Sequence, residues 1–83
     1  MEMTDQEKAV MQSHGAYWRE QAAKRYAIVV GPVLDPKGVW GVAVLSVEDE
    51  AQLQQLTQND PAMLSKLGFQ YETYPMPSVI LPS

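Results

Sequence analysis

The sequence predicts an α+β fold built on an antiparallel sheet, and three observations predict it. Apolar residues recur at spacings of three and four from Val10 to Ala22, the period of a helix. Two β-branched runs then flank an Asp-Pro-Lys-Gly turn. A second helical stretch and a further alternating run follow before a proline-rich tail.

The elements follow in order. Thr4-Asp5-Gln6-Glu7 is a capping box, with a hydroxyl for the free amides and a glutamate that reaches back. From it a helix is expected over about Asp5 to Arg25, with Lys24 and Arg25 in the last turn, where cations are favoured. Its apolar face carries Val10, Met11, His14, Tyr17, Trp18 and Ala22. Gly15 within it marks either close approach of another backbone or a tolerated weak spot. Tyr26-Ala27-Ile28-Val29-Val30 reads as a buried strand closed by Gly31-Pro32. Asp35-Pro36-Lys37-Gly38 is turn chemistry, and Val39 to Val47 is the second strand of an antiparallel hairpin. The near-continuous apolar character of both strands calls for cover on both faces, by helices on one and by a second copy on the other.

Glu48-Asp49-Glu50 opens a second helix with an Ala51, Leu53, Leu56, Thr57 stripe, and Asn59-Asp60-Pro61 ends it. Asp60 can cap a short further turn with Pro61 in its first position and Gly68 as its stop. Phe69 to Tyr74 alternates as a strand would, and Val79-Ile80-Leu81 is the one apolar run of the tail. The order α-β-β-α-β is that of a ferredoxin-like βαββαβ unit with its first strand missing. That strand is central in such a sheet. Either the chain begins late, or the tail fills or swaps into the place.

The 83 residues are expected to form a single domain, with residues 77–83 a Pro-rich C-terminal tail. A chain this short buries only about 60% of its unfolded surface. It has no cysteine and a single histidine, which rules out a disulfide framework and argues against zinc or iron. Self-association is the remaining route to stability, so a homodimer or larger homo-oligomer is expected. A net charge of −4 with only six scattered Lys and Arg argues against nucleic acid. No apolar run approaches the roughly 18 residues of a membrane span, and the acidic start is unlike a signal peptide. A cytoplasmic location is expected.

Candidate chemistry centres on His14, because imidazole is the side chain suited to proton transfer near neutral pH. Set among apolar neighbours, it needs a polar partner. The plainer role is a helix-face ring bonded to a backbone carbonyl; the sharper one is an acid or base held by a carboxylate. Asp60 reads first as a cap and Asp35 as a turn residue, although a carboxylate has lone pairs enough for two roles. Tyr17, Trp18 and Trp40 are core or interface aromatics, or walls of a pocket for a flat ring. Gly31-Pro32 can admit a ligand near the backbone but is no phosphate loop, since no glycine-rich run leads into a helix there.

Taken in order, His14, Gly31-Pro32, Asp35, Gly38, the acidic helix start, Asn59-Asp60-Pro61 and Tyr74-Pro75-Met76 resemble the YCII-related (YciI-like) family of dimeric α/β-barrel proteins, over roughly residues 4–77. The resemblance implies two ferredoxin-like copies packed sheet to sheet and a cleft with a His and an Asp as an acid/base pair. Similar proteins include ring-processing lyases such as dehydrochlorinases of hydroxylated aromatics, and the fold is shared with muconolactone isomerases. Carried over, the pair is His14 with Asp60, or His14 with Asp35. The implied function is a small lyase or isomerase without metal or organic cofactor, acting on a small cyclic or aromatic molecule. The competing reading is a non-catalytic ligand-binding or assembly module.

Overall fold

Helix α1, Asp5–Ala23, leads into a hairpin of β1, Ala27–Asp35, and β2, Gly38–Leu45, and the chain continues through α2, Glu50–Gln58, and the single turn α3, Pro61–Leu64. This computed structural model describes residues 4–82. The result is an α+β fold with a two-stranded antiparallel sheet, in keeping with a ferredoxin-like arrangement that lacks a strand. Among the described residues no helix is long and apolar enough to cross a membrane.

α1 starts where the capping box places it. The Thr4 side chain accepts from the Glu7 amide, and the Glu7 carboxylate accepts from the Thr4 amide. Its end differs from expectation. Lys24 is the C-cap, and Arg25 lies in the left-handed region at φ 67°. The Tyr26 amide donates to the Gln21 carbonyl and the Arg25 amide to the Ala22 carbonyl, a Schellman closure. Both cations therefore lie beyond the last helical turn. Ala22 is exposed, and Gln21 takes the buried place expected of it. At Gly15 an added Cβ would meet only the Arg19 side chain at 3.9 Å, so no other backbone presses there.

Gly31-Pro32 does not close β1; the strand runs through both to Asp35. Pro32 faces Gly41 across the ladder. Each strand of a two-stranded sheet is an edge, where a proline nitrogen can face outward at no cost in hydrogen bonds. The register slips between Ala27 and Val29, which leaves Ile28 as an extra residue on the bulged strand. At the turn the Asp35 carboxylate accepts from the Lys37 amide, and Gly38 supplies a φ of 144°.

The expected strand from Phe69 to Tyr74 is absent. That segment is irregular and pairs with nothing in the sheet. Alternation of side chains is a necessary pattern, but a strand exists only where a neighbouring edge takes up its hydrogen bonds. The expected stop at Gly68 also falls late: α3 ends at Leu64, Lys66 already has positive φ, and Gly68 follows at φ 97°.

The core is small. Trp18, Ala27 and Leu56 are buried together, with Tyr17, Leu45, Val47 and Tyr71 packed against them. Most of the hairpin lies outside it: Val29, Leu34, Val39 and Trp40 are all more than half exposed. The two-faced cover that the strand composition calls for is absent within one chain.

Arg25 in the left-handed region carries a Cβ penalty that glycine does not. Arg25→Gly is expected to raise stability by about 0.5–1 kcal/mol after the extra freedom of the unfolded glycine is allowed for. A denaturant midpoint that stays put or falls would contradict the Schellman assignment.

Candidate active site

Asp60 organises the site. It falls between α2 and α3 because proline at position 61 pushes the preceding residue out of helical geometry, to φ −62° and ψ 128°. From there its carboxylate turns inward and is fully buried, at 0% exposure. A charge so placed is tolerable only when hydrogen bonds replace its water. Oδ1 accepts the Ala62 amide at 2.9 Å, the N-cap bond of α3. Oδ2 accepts the Trp18 indole N–H at 2.8 Å and the Tyr71 hydroxyl. His14 Nδ1 lies 2.9 Å from Oδ1 and 2.8 Å from Oδ2. Capping and the histidine bond thus coexist on one carboxylate.

These donors decide its charge state. Burial pushes the Asp60 carboxyl upward, but bonds from Tyr71, the Ala62 amide, Trp18 and His14 outweigh it and hold the group below the ordinary 3.8. An ionised carboxylate only accepts, so the proton of a neutral His14 sits on Nδ1 and points at Asp60. Nε2 is left with a free lone pair and no protein partner among the described residues. The imidazole side chain is 31% exposed. Burial raises the Tyr71 hydroxyl well above the usual phenol range, with the bond to Asp60 adding to it, so Tyr71 stays a donor. Tyr17 is also raised, by burial and then by the negative charges of Asp60 and Glu20.

α1 supplies His14 and Trp18 four residues apart, on one helical face. Beyond them is one broad open concavity that runs along most of the hairpin and the C-terminal segment; His14, Trp18, Gly31, Pro32, Trp40 and Tyr71 are among the residues that border it. Tyr17 does not border it. Its hydroxyl donates to the Leu56 carbonyl at 2.6 Å, and its ring meets Trp18 edge to face. Asp35 stays in the hairpin turn, bonded to the Lys37 amide and to the Trp40 indole at 3.1 Å; the carboxylate that meets His14 is Asp60. Among the described residues no three His, Cys, Asp or Glu side chains group as a metal site would need.

Tyr71 is the member that sequence reasoning omits. Its place in an alternating run suggests one face of a strand, and no spacing links it to Asp60. The available signal is weaker: a tyrosine that packs into a core takes its hydroxyl to a partner.

The sequence model of the YCII-related domain matches residues 1–77, and the chain belongs to that family. No curated protein and no solved structure matches it.

Truncating Asp60 strands three donors inside the protein, so Asp60→Ala is expected to lose about 3 kcal/mol or more. Asp35→Ala, at an exposed turn, is expected to lose far less. The sign with pH follows from the lowered carboxyl. Its stabilisation is complete above the ordinary value of 3.8 and disappears as pH falls through the lower folded value. Unfolding curves of wild type and Asp60→Asn are therefore expected to converge in acid; a constant gap across pH 2–6 would contradict this.

Proposed function

We propose that the chain is a small cofactor-independent lyase or isomerase in which His14 is the general acid or base and Asp60 orients it. The observation that carries the proposal is His14 Nδ1 held by a fully buried carboxylate, while the ring borders an open hollow. That arrangement fixes the tautomer and turns a basic nitrogen outward. A proton removed from a substrate carbon or hydroxyl would be taken up at Nε2, and the imidazolium formed would be stabilised by Asp60. Trp18, Gly31, Pro32 and Trp40 border the space a substrate would enter, and an indole suits a small cyclic or aromatic molecule. Asp35 has no part in the step.

A second reading, ligand binding or assembly without turnover, is favoured by the uncovered hairpin. Leu34 and Val39 are exposed side chains of a kind that a second copy would bury. Self-association is part of both readings, and the enzyme would use the same homo-oligomer.

The test of turnover is a panel of small lactones and halogenated hydroxy-aromatic acids in deuterated buffer, followed by NMR for deuterium uptake, elimination or ring isomerisation. Wild type is expected to convert or exchange at least one, and His14→Ala to lose about 10²–10⁴-fold. Equal rates in the two proteins would overturn the acid–base role. Binding without turnover across the panel would favour the second reading. Separately, sedimentation is expected to give a dimer or larger species, which Val39→Lys drives toward monomer. A wild-type monomer at high concentration would contradict self-association.

A further inference from the structure

Asp60 has two oxygens with about four lone-pair directions, and the described residues bring it as many donors: His14 Nδ1, Trp18 Nε1, the Tyr71 hydroxyl and the Ala62 amide. Three of them converge on Oδ2, the oxygen nearer to His14. Each bond from another donor draws negative charge away from the imidazole. The Trp18 and Ala62 bonds come from a buried helix face and a helix cap, so they are fixed with the fold. The Tyr71 bond is different. It comes from the irregular segment after α3, which also borders the hollow. The Trp18 indole also reaches the Tyr71 oxygen at 3.2 Å, so the hydroxyl both receives from Trp18 and gives to Asp60.

We propose that Tyr71 is a positioning residue for His14, acting through Asp60: by sharing the carboxylate's charge it lowers the readiness of the imidazole to take up a proton. The proposal rests on the reading of His14 as the proton-transfer group, and it adds what tunes that group. If the C-terminal segment moves away, the carboxylate turns its full charge on His14, and the imidazolium is favoured.

The ionisable groups nearby are few. Tyr17 on α1 has its hydroxyl on the Leu56 carbonyl rather than on Asp60. Arg19 on α1, Glu48, Asp49 and Glu50 at the start of α2, and Glu72 and Tyr74 beside Tyr71 border the hollow but are exposed. β1 and β2 present no ionisable side chain to the hollow.

Because His14 is the chain's one histidine, its ring protons report its titration without ambiguity in NMR. In Tyr71→Phe the midpoint is expected to move to higher pH by about half a unit, roughly a threefold gain in proton affinity. Tyr17→Phe is the control. It removes a core hydroxyl bond of similar burial without touching Asp60, and its midpoint is expected to stay at the wild-type value. An unmoved midpoint in Tyr71→Phe, or equal movement in both variants, would overturn the proposal. Should Tyr71→Phe not stay folded, 3-fluorotyrosine incorporated in the Tyr17→Phe background strengthens the donated bond, and the midpoint is expected to fall; no movement would overturn it. The titration needs no substrate. A moved midpoint with no turnover would sink the proposed reaction and leave the role of Tyr71 standing, whereas activity with an unmoved midpoint would do the reverse.

Discussion

One buried carboxylate sets the constraint on which this structure depends. Asp60 is the largest fully enclosed side chain among the described residues, and an isolated charge there would cost far more than so small a core supplies. Its donors come from α1, from the first turn of α3 and from the segment beyond it. Satisfying one acceptor therefore draws together three stretches of chain. The polar bond also positions the apolar packing: Trp18, aimed at Asp60 by its N–H, places its ring against Ala27, Leu56 and Tyr71. Tyr17 closes the other side by bonding to the Leu56 carbonyl and standing edge-on to Trp18.

Against this polar centre the hairpin is loosely held. β1 touches α1, yet most of its own apolar side chains and those of β2 face outward. The open hollow beside His14 is bordered by both strands of the hairpin and by the Phe69–Tyr74 segment.

Much of this was legible in the residues because the relevant signals are local. The Thr4–Glu7 box, the Asp35–Gly38 turn and the Asp60-Pro61 break depend on a few adjacent side chains, and each forms as the chemistry dictates. His14 and Trp18 are at helical spacing, and both reach the same carboxylate. Choosing between Asp60 and Asp35 was beyond the sequence, since either carboxylate follows His14 at a distance that only tertiary packing decides. Non-local features were lost for the same reason. Phe69–Tyr74 has the alternation of a strand but no edge to pair with, and Pro32 reads as a terminator until the strand that carries it proves to be an edge. Arg25 in the left-handed region replaces the glycine that usually announces a helix end, so no local residue type marks where α1 stops. Tyr71 escaped because nothing local in an irregular segment marks a hydroxyl that closes a network formed 11 residues away.

Membership of the YCII-related family and the α+β architecture rest on the sequence match and the fold. The chemistry assigned to the site rests on one orientation, with Nδ1–H toward Asp60 and Nε2 bare toward the hollow. The measurement that tests it most directly is the nitrogen-15 NMR spectrum of His14 in the neutral form. The account predicts a protonated Nδ1 and an unprotonated Nε2. A spectrum dominated by the Nε2–H tautomer would contradict it, because the ring would then have no proton to give Asp60 and no free base to offer a substrate.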